Sequence, residues 1–232
     1  MTVIALGSVR GAPGVTTTAM LLAAAMDDAV VVEADLNGGA IAVRYGLGRE
    51  PGLTTLAAER PSEGDEWTAH AQLAGETPVM VGPDSPDGAR ALWQAAGERL
   101  EAHLDHLSAT VVADLGRLGR GTPVLAVSDL TVVLAQPTAE HLVALNHRLS
   151  WLRDASRGPV GVMLVGSGPY RAQDLEPWGV DVLGTLPDDP RAATALCQGG
   201  RALLVRRSLL ARSAMTLAAN LTARIALTGA EA

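Results

Sequence analysis

Val3-Ile4-Ala5-Leu6 runs straight into Gly7-Ser8-Val9-Arg10-Gly11-Ala12-Pro13-Gly14-Val15-Thr16-Thr17, and from Thr16 to Met26 the chain is Ala/Leu-rich without a helix breaker. A short β-branched apolar run, a glycine-bearing loop and a helix in that order form a strand–loop–helix unit. In parallel sheets this is where anions are held, because loop amides and the helix N-terminus present partial positive charge to them. Gly11 and Gly14 supply the backbone freedom that a tight anion nest requires.

The same alternation continues outward. Ala29-Val30-Val31-Val32-Glu33 reads as a buried strand that closes on Asp35-Leu36-Asn37-Gly38-Gly39, with a helical stretch from Ala40 to Tyr45 and a short helix starting at Pro51-Gly52-Leu53. Residues 59–76 are polar and acidic and read as a surface excursion with one helix around Trp67 to Leu73. Further strands are predicted at Pro78–Val81, Thr110–Asp114, Leu130–Ala135, Val160–Val165 and Val180–Leu183. Helices are predicted at Ala89–Leu107, Glu140–Arg153 and about Ala202–Leu227. Strands separated by helices of this length imply a mostly parallel sheet with helices on both faces. With no repeat, low-complexity tract or linker, the expectation is one α/β domain spanning 1–232.

Composition limits the function classes. The 232 residues are 48% hydrophobic and 19% charged, which describes a globular chain and excludes a disordered one. One cysteine, Cys197, excludes a disulfide framework and a Cys-rich zinc site, and it reads as a buried small residue. The formal net charge of −7 argues against broad electrostatic binding to nucleic acid. No signal peptide and no apolar run approaching a membrane span is seen, so a cytoplasmic protein is expected. Lysine does not occur at all; every basic residue apart from histidine is arginine.

That absence bears on the loop. A full P-loop reads G-x-x-x-x-G-K-[ST]; here Val9 stands at the first glycine and Val15 at the lysine, while Thr16 keeps the hydroxyl that faces Mg²⁺ at the helix start. Arg10 to Thr17 resembles the deviant Walker A motif of the MinD/ParA family, K-G-G-x-G-K-T-T, with Arg10 for the signature lysine and Val15 for the phosphate lysine. Val31–Asp35 followed by Asn37-Gly38-Gly39 resembles that family's switch I, with Asp35 aligned to the residue that orients the attacking water and Glu33 replacing the first Asp. Val111–Asp114 resembles Walker B, and Leu183–Pro190 resembles the segment against adenine. The lysine-free form is similar to the TadZ/CpaE branch.

The resemblance implies a site in which Arg10, Gly11, Ala12, Pro13, Gly14, Val15, Thr16 and Thr17 cradle phosphates and Pro187 and Asp189 lie beside the base. Thr16 and Asp114 would hold Mg²⁺, partly through water, and Asp35 would read the γ-phosphate. It implies ATP or ADP with Mg²⁺ as ligand and a homodimer. Partners would be Tad-type pilus, secretion or polar-localisation proteins, through which the inner face of the membrane is reached. Losing the P-loop lysine removes a preorganised charge worth about 3–4 kcal/mol in the transition state, so slow or absent hydrolysis is expected. Two alternatives stay open: a scaffold that binds no nucleotide, and an active ATPase that partitions DNA.

Other constellations carry less. His103 and His106, three apart on a helix, read as exposed surface residues rather than a metal pair. No G-x-S-x-G elbow supports an esterase. Arg201, Arg206, Arg207, Arg212 and Arg224 read as a solvated helix face.

Overall fold

The computed structural model describes residues 2–11, 14–60, 67–200, 205 and 207–229. The elements are β1 (Thr2–Ser8), α1 (Val15–Ala23), β2 (Ala29–Glu33), α2 (Ile41–Tyr45), α3 (Leu53–Ala58), β3 (Gln72–Ala74), β4 (Thr77–Met80), α4 (Pro86–His106) and β5 (Thr110–Arg117). They continue with β6 (Leu130–Ala135), α5 (Ala139–Ala155), β7 (Val160–Val165), β8 (Asp181–Leu186), α6 (Pro190–Cys197) and α7 (Leu209–Gly229). Among the described residues there is one eight-stranded sheet, ordered β3-β4-β2-β5-β1-β6-β7-β8. Every pairing is parallel except β3 with β4.

Because the central strands are covered on both faces, they are apolar at successive positions rather than alternately. On β1, Val3 and Ala5 enter the core formed with α3, α4 and α5, whereas Ile4 and Leu6 enter the core formed with α1, α6 and α7. The α/β architecture with helices on both faces is therefore as expected from the alternation of elements.

The structure departs from the sequence reading in several places. The helix expected around Trp67 to Leu73 is a single 3-10 turn, Trp67–His70, followed by the edge strand β3. Ala74 faces Thr77 across a two-residue turn at Gly75, whose φ of 66° suits a hairpin connection. Residues 61–66 of the acidic excursion lie outside the described residues, as do 202–204 and 206 of the stretch read as the start of the last helix, which begins at Leu209. An additional helix, α6, starts at Pro190. The last strand runs to Leu186 rather than Leu183.

Two single-residue expectations are corrected. Cys197 is exposed, because α6 turns Ala192 and Leu196 to the sheet and leaves its last position outside. His103 is buried at 1% exposure, its Nε2 3.3 Å from the Glu59 carbonyl at the end of α3, whereas His106 is exposed.

Candidate functional site

The parallel strands β1, β2 and β5 end together, and the loops that leave them meet above the sheet. Gly14, left-handed at φ 82°, ψ 37°, is the N-cap of α1, and no side chain caps it among the described residues. Thr18 N–H donates to the Gly14 carbonyl at 2.9 Å. The amides of Val15, Thr16 and Thr17 precede the first intrahelical bond, so partial positive charge collects at this end. Gly11 is exposed with open space around it. Ala12 and Pro13 lie outside the described residues. The Val15 side chain is 6% exposed and packs in the core that includes Ile4, Leu6 and Met20.

Two carboxylates gather beside the start of α1. Asp114, on β5, is 2% exposed. Its carboxylate accepts the Thr16 hydroxyl and, at 3.0 Å, the Gly116 amide. Burial pushes Asp114 up from 3.8 to about 6; the two hydrogen bonds oppose this and the Asp35 charge adds to it. Asp35 Oδ1 accepts from the Asn37 amide at 2.8 Å and from Asn37 Nδ2 at 2.9 Å. Its other oxygen lies over Gly116, where φ is 55° and any side chain would collide with the carboxylate. The Ala34 amide donates to the Asp114 carbonyl at 2.8 Å, joining the two strands just below.

Behind Asp35 sits a third carboxylate, Glu33, 3% exposed. It accepts the amides of Ala40 at 2.6 Å, Ile41 at 2.8 Å and Gly82 at 3.2 Å. Burial raises its proton affinity more than these bonds lower it, and Asp114 raises it further.

On the other side of α1 a cavity of about 280 Å³ is lined by Gly14, Thr17 and Thr18 together with the loops after β6, β7 and β8. Pro187, Asp188 and Asp189 line it, as do Gln136, Thr138 and Ser167. Asp189 Oδ1 also accepts the Ala192 amide at 3.1 Å as the N-cap of α6.

The structure thus brings together Thr16, Asp114 and Asp35 in one cluster, and Gly14, Thr17, Pro187 and Asp189 around one cavity. It does not place Arg10 with either. Arg10 is exposed and lines a separate depression with Glu140, Val143, His147 and Arg148 of α5. Burial, and then the Arg10 charge, hold the neighbouring His141 below its ordinary value. Sequence reading missed Gln136, Thr138 and Ser167. Ligands of open α/β sheets bind outside the carboxyl ends of strands, and these residues directly follow β6 and β7, so that rule would have found them.

No protein-family model matches the chain, and a search of curated proteins finds no match to its sequence. Solved structures do match in fold. MinD from Pyrococcus furiosus, a cell division ATPase, aligns at a TM-score of 0.78 with 17% identity over 95% of this chain and 98% of its own. MinD from Pyrococcus horikoshii, complexed with Mg-ADP, aligns at 0.75 with 15% identity over 94% of each chain. A ParA family ATPase from Chlorobium tepidum aligns at 0.76 with 18% identity over 95% of this chain and 98% of its own.

The chain has the MinD/ParA fold. Among the described residues, no helix of that fold is long and apolar enough to cross a membrane.

Proposed function

We propose that this chain is a MinD/ParA-type nucleotide-binding protein that holds ATP or ADP with Mg²⁺ and hydrolyses ATP slowly or not at all. The observation that carries the reading is the Thr16–Asp114–Asp35 cluster beside the uncapped start of α1. Asp114 is buried with one hydroxyl and one amide on its carboxylate, and its ionisation is held back by burial. A divalent cation would offset that cost, so the residues present fit a Mg²⁺–nucleotide.

On this reading the amides at the start of α1 receive the phosphates, and Thr16 and Asp114 hold Mg²⁺, directly or through water. Asp35 senses the γ-phosphate, and the cavity bounded by Thr17, Pro187 and Asp189 takes the nucleoside. Gly11, Ala12 and Pro13 complete the loop. When bound, the metal neutralises phosphate charge. The chain's own deficit is the cation at position 15: Val15 lies in the core, and no lysine exists elsewhere to replace it. Binding then rests on amides, helix charge and Mg²⁺, while the transition state lacks its point charge.

Such a protein is suited to nucleotide-gated localisation or assembly rather than turnover. The TadZ/CpaE-like branch, a homodimer, and partners from pilus or secretion machinery at the inner membrane face belong to this proposal on the strength of the motif likeness alone. Calorimetry with ATP or ADP, with and without Mg²⁺, tests it: Mg²⁺-dependent binding is expected, with no turnover above a slow background. No heat at millimolar ligand would leave the scaffold reading in its place.

A further inference from the structure

We infer that Glu33 is a positioning residue, whose carboxylate locks the loop bearing Asp35 to the turn before α4 and so presents Asp35 in one place whatever the ligand state. Glu33 ends β2, and its side chain is almost wholly enclosed. One oxygen accepts the Ala40 and Ile41 amides, at 2.6 and 2.8 Å, which open α2. The other accepts the Gly82 amide at 3.2 Å, from a segment 49 residues away in sequence. The loop 35–39 is thereby closed at its far end, while Asp35 rests on Gly116 at its near end.

Three glycines make room for this arrangement. A side chain at Gly39 would occupy the position of the Glu33 carboxylate, and one at Gly82 would meet the Glu33 carbonyl. Gly38, at φ 96°, passes so close to the Asp84 carbonyl that a Cβ would sit 2.8 Å from it. The Gly39 amide adds a direct bond to the Pro83 carbonyl at 2.8 Å. Charge-assisted bonds to a carboxylate are about twice as strong as neutral ones, so these three amides are held more firmly than a loop of this length would otherwise be. Ser85, two residues beyond Pro83, caps α4 by accepting the Gly88 amide at 3.1 Å, which extends the rigid unit into that helix. An Asp at position 33, shorter by one carbon–carbon bond of about 1.5 Å, would not span both sets of amides.

The residue next but one to Asp35 is therefore a fastening. The loop that the motif likeness marks as a switch is preset, and its consequence for nucleotide rests on the function proposed above, whereas the fastening itself does not. Hydrogen–deuterium exchange on the full chain tests the fastening without ligand. In the wild type, amides 40, 41 and 82 should be protected, and Mg²⁺ with ATP should change their exchange less than about 2-fold. In Glu33→Ala, exchange at 38–42 and at 81–84 should rise together by about 10- to 100-fold, as for one or two lost bonds to a charged acceptor. Glu33→Gln keeps the volume and one acceptor; if the alanine variant does not fold, it should still speed exchange at 81–84 while sparing 40–41. Acceleration of one segment without the other in Glu33→Ala, or free exchange of these amides in the wild type, would overturn the inference.

A second readout separates positioning from mere folding. Glu33→Gln should weaken ATP about 10-fold and ADP less than 2-fold, since only ATP carries the phosphate that Asp35 would read. Equal loss for both nucleotides would reduce Glu33 to a structural residue. Failure of the wild type to bind nucleotide would sink the proposed function and leave the exchange result standing.

Discussion

On one side of the site, Glu33, Asp35 and Asp114 are fixed by amides drawn from three separate segments of chain, and each carboxylate lies against a glycine or a hydroxyl. On the other side, Gly14 starts a helix whose first amides have no side-chain partner among the described residues, and Val15 has turned into the core. The carboxylate half is elaborate; the half at the start of α1 is reduced to backbone. On the function proposed above, the difference assigns the two halves to different steps. Carboxylates and a helix start would hold the Mg²⁺–nucleotide, and the lysine charge absent at position 15 would be missed most as charge moves during phosphoryl transfer.

The largest effect comes from trying to abolish the asymmetry. Val15→Lys restores the point charge, and single-turnover ATP hydrolysis should rise about 10²- to 10³-fold over the wild type, the range for one preorganised charge. Val15 packs against Met20 and its neighbours, so the variant should also lose stability by about 1 kcal/mol or more as its head group leaves the core. Brisk turnover by the wild type, unimproved by the lysine, would mean that the phosphate side is not deficient.

Asp114→Asn tests the other half. Asp114 binds its proton more tightly folded (about 6) than unfolded (3.8). Its neutral form therefore supports the fold at low pH, and that support is lost as pH rises through about 6. At about 1.4 kcal/mol per tenfold change in proton affinity, ionising it costs the ligand-free protein about 3 kcal/mol at pH 8. Urea unfolding in chelator should show the asparagine variant more stable than the wild type by up to that amount at pH 8. Near pH 4 the two should converge. Mg²⁺ with nucleotide should reverse the order at pH 8. A variant less stable at pH 8 without ligand would show that the carboxylate is not strained by its burial.

The same contrast explains what could be read in the sequence. The strand–loop–helix at Val3–Met26 and the runs Ala29–Glu33, Thr110–Asp114 and Val160–Val165 carry their own periodicity, and the sheet they build is the observed one. Thr16, Asp35 and Asp114 stood out by their places in the MinD/ParA likeness: Thr16 where the glycine loop meets the helix, Asp35 just after Ala29–Glu33 and Asp114 at the end of Thr110–Asp114. The strand at Pro78–Val81 was legible, but its hairpin partner Gln72–Ala74 was hidden by its shortness: three residues of edge strand carry no period, and only Gly75 marked the turn. Glu33 looked like a replacement in a motif. Its three amide partners come from residues 40, 41 and 82, and the last of these contacts exists only once β2 and β4 lie side by side. Cys197 failed as a core residue because burial on α6 depends on which face meets the sheet, and Ala192 and Leu196, not the cysteine, lie on that face.

The N-cap of α6, Asp189, supplies the smallest and most discriminating prediction. Asp189 lines the cavity beside α1, yet its carboxylate is already engaged as an acceptor for the Ala192 amide, with Pro190 at the first helical position. N-cap removal costs about 1 kcal/mol, so Asp189→Ala should lower unfolding free energy by that amount, and Asp189→Asn or Asp189→Ser should restore it. If capping is its whole task, nucleotide affinity should stay within about 2-fold in the two capping variants. A carboxylate that instead contacts the nucleoside would give the opposite pattern: Asp189→Asn would unfold like the wild type in urea and yet bind ligand more weakly. The wall of the cavity would then belong with Asp35 and Asp114 as chemistry set by charge, rather than with Gly14 as backbone shape that any capping residue can maintain.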